Sequence, residues 1–170
     1  MIEFKKVTPD QLEVLYEISL DTFRYSFYHQ NTPENYELYV SKALNPETLL
    51  AEINHRRSDF YFGYLSEELV CYFKINLDIN SHEMYTVDSM EIQRIYIIPA
   101  YLSRGIGSQI MDFIKQLGRE SGYISIWLGV WERNPGAIRF YERHGFTQIG
   151  AHDFMLGEER QTDLLLECKI

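Results

Sequence analysis

The spacing of apolar residues changes several times along the chain, and each change marks an element. "IEFKKV" (2–7) reads as a short strand. "TPDQLEVLYEISLDTFRYSFY" (8–28) opens with Thr8 as N-cap and Pro9 at the first helical position. Leu12, Leu15, Tyr16, Leu20 and Phe23 then recur at helical spacing. "TPENYELYVSKAL" (32–44) starts the same way, and "PETLLAEINHR" (46–56) predicts a further short helix. The period then becomes two. "DFYFGYL" (59–65) and "LVCYFKINLD" (69–78) are strands joined by "SEE", with Leu69, Cys71, Phe73, Ile75 and Leu77 expected on one face. "NSHEMYTVD" (80–88) reads as a polar loop.

"SMEIQRIYII" (89–98) and "YISIWLGV" (123–130) carry apolar residues on both faces, as strands near the middle of a sheet do. Between them, Ile106, Ile110, Phe113, Ile114 and Leu117 form a helical stripe. "PGAIRFYERH" (135–144) predicts a short helix, Gly145 its end, Phe146 the start of a strand, and "TDLLLECKI" (162–170) a closing strand. The principal order β-α-α-β-β-β-α-β-α-β-β implies a mixed α/β fold. Its central sheet has about seven strands with helices on both faces, in one domain over 1–170. An exposed closing strand would offer an edge for a homodimer.

Composition narrows the function classes. A net charge of −9 argues against a nucleic-acid partner and suits a cationic substrate. No apolar run reaches 18 residues and no basic-then-apolar leader precedes the first strand, so a soluble cytoplasmic protein without a membrane partner is expected. Cys71 and Cys168 lie far apart in apolar runs, as buried, reduced core thiols do. The five histidines show no metal-ligand spacing, so no metal is expected. His152 reads as a surface residue, with contact at the rim of a site as the alternative, and Trp127 and Trp131 as packing residues.

One junction carries chemistry. In "IIPAYLSRGIGSQIMDFI" (97–114) a strand ends, two glycines follow closely, and a helix begins. Glycine there lets a ligand approach the backbone, and a helix N-terminus presents unpaired N–H groups to an anion. Ile110 stands where a dinucleotide fingerprint needs its third glycine, and no Gly-Lys-Ser/Thr is present, so neither of those phosphate loops applies.

"NPGAIRFYERHGF" (134–146) places Asn134 at a helix start and Tyr141 seven residues on, near the same helical face. With the central strands, Glu91 and the loop Leu102-x-x-Gly105-x-Gly107, these residues resemble the GNAT family of acyl-CoA N-acetyltransferases. Leu102 stands where that family usually has Gln or Arg. "NTPENY", "SMEIQRIYI", "IWLGVWERNPGAIRFYERHGF", "GAHDF" and "QTDL" look like the PaiA-type polyamine N-acetyltransferases in the same order and spacing.

The resemblance implies acetyl-CoA as cosubstrate and a small-molecule amine as acceptor, spermidine or spermine above all. The backbones of Ile95, Tyr96 and Ile97 would pair with the pantetheine arm like an added strand. A splay between the central strands would hold the thioester, where a backbone N–H stabilises the developing oxyanion. The loop residues Ser103, Arg104, Gly105, Ile106, Gly107 and Ser108 would receive the pyrophosphate, and Asn134 would orient the pantetheine. An alkylammonium of pKa about 10.4 must lose a proton before attack, and Glu91 is the candidate base, with Asp88 behind it. The alternative for Glu91 is an ordinary strand carboxylate, exposed to water or paired with Arg94. Tyr141 resembles the family's general acid, a phenol of pKa about 10 facing a thiol of about 8.5.

For the acceptor, "DTFRYSFYHQNTPENY" (21–36) offers Asp21, Glu34, Phe23, Tyr25, Phe27 and Tyr28 for charge and cation–π contact. Two other functions remain open: acetylation of another amine (a protein N-terminus, a lysine, an antibiotic), and a non-catalytic acyl-CoA-binding regulatory module. The presence of Glu91, Asn134 and Tyr141 speaks against the second.

Overall fold

The computed structural model describes residues 1–77, 88–156 and 158–170, so the expected loop at 80–88 lies, apart from Asp88, outside the described residues. Seven strands form one mixed sheet: β1 Glu3–Lys6, β2 Ser58–Leu65, β3 Glu68–Leu77, β4 Ser89–Ile97, β5 Ser125–Trp131, β6 Thr147–Leu156 and β7 Glu159–Lys169. Their spatial order is β1-β2-β3-β4-β5-β7-β6, and β4–β5 is the parallel pair in an otherwise antiparallel ladder. Three helices, α1 Leu12–Phe27, α2 Pro33–Ala43 and α3 Pro46–Ile53, precede β2, one more than the principal order expected. α4 (Ile106–Glu120) follows β4 and α5 (Pro135–Arg143) follows β5.

The helices start where their caps dictate. Thr32 and Asn45 accept the N–H groups of Asn35 and Thr48 at 3.2 and 2.8 Å, each with proline at the next position. After Thr8 the chain makes a short 3-10 turn, Pro9–Gln11, before α1 proper. One core lies between the sheet and α4–α5, with Phe73, Ile75, Met90, Ile110, Ile114 and Leu128 at its centre. On the other face, Leu15, Leu49, Phe60, Phe62 and Tyr72 pack beneath α1 and α3, and Phe23, Tyr36 and Leu44 beneath α1 and α2. Both cysteines are buried and free, and burial pushes the Cys71 thiol up to about 12.

Two strand expectations need correction. Cys71, Phe73, Ile75 and Leu77 share the α4 face, but Leu69 packs on the opposite one. Gly63 pairs with Cys71 and Tyr64 with Leu69, so Val70 is an extra residue and the strand changes face there. The closing strand β7 is flanked by β5 and β6; the sheet edges are β1 and β6, so β7 offers no free edge.

Candidate active site

Parallel pairing between β4 and β5 stops after three residues, Ser89–Glu91 against Ser125–Trp127. The cause is visible in β4. Ile92 faces Ile75 and Arg94 faces Lys74, leaving Gln93 as a bulge that bends the strand. Beyond it, Ile95, Tyr96 and Ile97 remain bonded to β3 on one edge, while among the described residues no strand lies against the edge facing β5. That edge is what an extended pantetheine arm would need.

β4 leads into a 3-10 turn, Pro99–Tyr101, and then to the loop ahead of α4. Ser103 and Gly105 both adopt positive φ, 62° and 76°, turning the chain so that Gly105 caps α4 in the left-handed conformation. No acidic residue occupies the first turn of α4, so its N–H groups carry no anionic side chain of their own. Leu102, Ser103, Arg104, Gly105 and Ser108 are exposed, and Arg104 lies 5.0 Å from the Tyr101 ring. This cradle fits a pyrophosphate. Gly107 has a different reason for being glycine: a Cβ there would stand 3.0 Å from the Phe140 ring, so α4 and α5 touch at this point.

On α5, Asn134 is the N-cap, its Oδ1 accepting the Ala137 N–H at 3.1 Å and leaving the amide nitrogen for a ligand. Tyr141 is only partly covered, between Phe140 and Phe146 at 5.3 and 5.7 Å, yet enough protein surrounds its hydroxyl that burial raises its pKa to about 12.

Glu91 projects from the opposite face, the one toward α1–α3. Its Oε2 accepts the Asn76 amide at 2.7 Å, which fixes the carboxylate at the vertex of the splay, across from Trp127. Arg94 goes elsewhere. Glu52 of α3 accepts Lys74 Nζ at 2.7 Å on one oxygen and Arg94 Nη1 at 2.8 Å on the other, with the Phe60 ring beneath both cations. Lys74 and Arg94 stand directly opposite on β3 and β4, and the shared carboxylate offsets their repulsion. Desolvation and the Arg94 charge still lower Lys74 to about 8. Glu52, Lys74 and Asn76 line a cleft of ≈ 880 Å³ on this face. Asp88 is exposed at the closed end of the β4–β5 pair, away from the splay.

The expected acceptor residues are divided. Phe23 is core, and Phe27 faces Trp131 at 6.5 Å. Asp21, Tyr25 and Tyr28 line a separate recess on the outer side of α1, with Leu69 and Pro99, and Glu34 is exposed at the start of α2. Among the described residues no group of three His, Cys, Asp or Glu side chains could hold a metal ion, and no helix is long and apolar enough to cross a membrane.

The family model described as Acetyltransferase (GNAT) family matches residues 12–146. The chain belongs to the GNAT family. It is an N-acetyltransferase, with acetyl-CoA as its acyl donor. An uncharacterised N-acetyltransferase from Lactobacillus delbrueckii subsp. lactis is 36% identical over 166 residues, covering 98% of this chain and 96% of that one. The spermidine N(1)-acetyltransferase of Thermoplasma acidophilum is 22% identical over 149 residues, covering 85% and 88%. Among solved structures, the PaiA N-acetyltransferase of T. acidophilum in complex with coenzyme A matches with TM-score 0.79 at 20% identity, over 100% of this chain and 99% of that chain. The ribosomal-protein-S18-alanine N-acetyltransferase of Escherichia coli matches with TM-score 0.74 at 15% identity, over 100% and 94%.

Glu52, Lys74 and Asn76, which gather on the Glu91 face, and Gly129, which lies where β5 parts from β4, lay outside the sequence expectations. Two signals were present. Lys74 interrupts an otherwise apolar strand, and Gly129 sits inside "IWLGV", where a missing side chain marks a close approach.

Proposed function

We propose that this acetyltransferase transfers the acetyl group to a primary amine of a polyamine, spermidine or spermine in type, by direct attack in a ternary complex. The observation that carries this reading is the division of labour across the splay: Glu91 at its vertex on the α1–α3 face, Tyr141 among the α4–α5 residues on the other. The similarity to the T. acidophilum spermidine enzyme supports the acceptor class.

Bound acetyl-CoA supplies an acyl group activated as a thioester. The free edge of Ile95–Ile97 would hold the pantetheine arm, Asn134 would orient it, and the N–H groups from Ser103 to Ser108 would hold the pyrophosphate. Glu91 takes the proton of the acceptor ammonium, its orientation set by Asn76. Tyr141 offers its hydroxyl to the departing sulfur. Burial makes it a weaker acid than the ordinary phenol expected from sequence, and full transfer to a thiolate of pKa about 8.5 would be uphill by roughly 5 kcal/mol. Tyr141 therefore keeps its proton and works as a hydrogen-bond donor. Free, buried Cys71 and Cys168 suit a reducing compartment, the cytoplasm.

The test is thiol release from acetyl-CoA across spermidine, spermine, simple monoamines, lysine peptides and peptide N-termini. Selective release with the polyamines is the expected result. Release with peptides alone would replace the acceptor class, and coenzyme binding without release would remove the catalytic reading.

A further inference from the structure

Gly129 is exposed in the middle of β5, between the buried residues Leu128 and Val130, just where β5 has parted from β4. What fills the space above it comes from the far side of the sheet. A Cβ at Gly129 would stand 3.3 Å from Asp163 Oδ2 of β7 and 3.7 Å from His152 Cε1 of β6. Asp163 and His152 are cross-strand partners, and both are half-buried, so neither is the surface residue that His152 was expected to be. Asp163 also faces Trp131 across the β5–β7 ladder, and Trp131 reaches Phe27 of α1. The Tyr39 hydroxyl of α2 is pushed up by burial, with Arg94 lowering it and Glu52 and Asp163 raising it, so it lies in the field of charges on this face. The hairpin of β6 and β7 is tied to the α1–α2 segment, with Gln161 donating to Asn31 at 3.0 Å and the Glu158 N–H to Asn35 at 3.0 Å.

Two carboxylates thus flank the open part of the splay. Glu91 stands on β4 opposite Trp127, and Asp163 reaches back to Gly129, two residues further along β5 and one strand beyond it. With strands about 4.8 Å apart and a rise of about 3.3 Å per residue, two strands across and two residues along separate them by roughly 12 Å. The aromatic rings of Trp131 and Phe27 stand beside the Asp163 strand position, a surface that accepts methylenes and cations alike.

We infer that Asp163 is a specificity-determining residue that binds the second cationic nitrogen of the acceptor while the first is held at Glu91. The site then selects for amines carrying two positive charges at that separation. Gly129 is the gap that gives the carboxylate access. This rests on the polyamine reading and assigns its distal contact.

The experiment compares spermidine with butylamine as acceptors for wild type, Asp163→Asn and Gly129→Ala. Direct calorimetric titration of spermidine into each protein with coenzyme A bound serves as a readout independent of turnover. A charge-assisted contact of this kind predicts a tenfold to hundredfold loss of kcat/KM for spermidine in Asp163→Asn, on the order of its typical contribution, carried mainly by KM. Butylamine kinetics should be unchanged, which a merely structural role would not allow. Gly129→Ala, which crowds Oδ2, should move the same preference in the same direction. If Asp163→Asn does not fold, Gly129→Ala and the calorimetry decide. A preference for spermidine retained in the variants overturns the inference alone. A wild-type enzyme that does not prefer spermidine overturns the polyamine reading and the inference with it.

Discussion

The two faces of the sheet are built by different means. On the α4–α5 face the site is largely backbone: an unpaired strand edge at Ile95–Ile97, a helix N-terminus capped by Gly105, and an N-cap at Asn134. These groups come from one stretch, 95–134, and in the reading proposed above they would recognise features common to every acyl-CoA. On the α1–α3 face, side chains drawn from distant parts of the chain gather instead: Glu52, Lys74, Asn76, Glu91 and Arg94. Backbone geometry tolerates changes of side chain, whereas a constellation of charges is altered by each one. In the proposed reading the donor end is the fixed part of this GNAT enzyme, and the acceptor end carries its selectivity.

The largest effect on turnover with binding intact should come from the residue that serves the chemistry without serving the packing. Tyr141→Phe keeps the ring between Phe140 and Phe146, so fold and acetyl-CoA affinity should survive. The lost hydroxyl should lower kcat by about 10²-fold, the lower end for removing one hydrogen-bond donor from developing charge, because a thiolate leaves readily. Since burial raises Tyr141 to about 12, it stays protonated throughout the neutral and mildly alkaline range. Any fall in wild-type kcat as pH rises through that range must come from another group, and the pH profile should be parallel in wild type and variant. Turnover within twofold of wild type in steady-state kinetics would leave Tyr141 a packing residue.

A second experiment asks whether the donor face is backbone geometry or open space. Gly107→Val should abolish acetyl-CoA binding. Besides filling the space expected for the pyrophosphate, the new side chain would collide with Phe140, which lies on α5 with Tyr141 and follows the Asn134 cap. Overpacking of this kind costs about 1–3 kcal/mol in stability. Adding Phe140→Leu to Gly107→Val should restore part of the affinity in isothermal titration. If the double variant binds no better than the single one, the space at Gly107 belongs to the ligand.

The same contrast explains what the sequence disclosed. Periodicity located the strands and helices because burial on one face is a local property, and the β4–loop–α4 junction was readable because positive φ, glycine and helix capping act over a few residues. The corrections are instructive. Leu69 fell on the wrong face because a bulge at Val70 shifts the alternation by one, which no period-two pattern reveals. β7 was taken for an edge because strand order in space depends on β6 turning back outside it. Arg94, a suggested partner of Glu91, went to Glu52, 42 residues earlier in the chain, and Asp163 meets Gly129 across 34 residues. Such pairings follow from topology and are invisible in local spacing.

The smallest effect tests the acceptor face at its least exposed charge. Lys74 is 3% exposed, and its lowered pKa of about 8 compares with 10.5 when unfolded. Between those values the unfolded chain binds the proton and the native protein does not, so stability from this group is present above about pH 10.5 and is lost as pH falls through about 8. Below that, the buried cation is retained at a cost that its bond to Glu52 offsets. Lys74→Met removes the cation together with its desolvation and leaves Glu52 paired with Arg94 alone. At neutral pH the substitution should change unfolding free energy by less than about 1 kcal/mol, since exchanging a buried ion-pair member for a packed apolar side chain is often near neutral when the remaining charges stay matched. Measured by urea unfolding, the stability of wild type relative to Lys74→Met should rise between about pH 8 and 10.5, while titration of the other groups affects both proteins alike. A difference that is flat across that window would mean that Lys74 keeps its proton in the native protein, bound more tightly by Glu52 than its burial allows. A loss of several kcal/mol at neutral pH would mean that the charge itself holds β3 against α3.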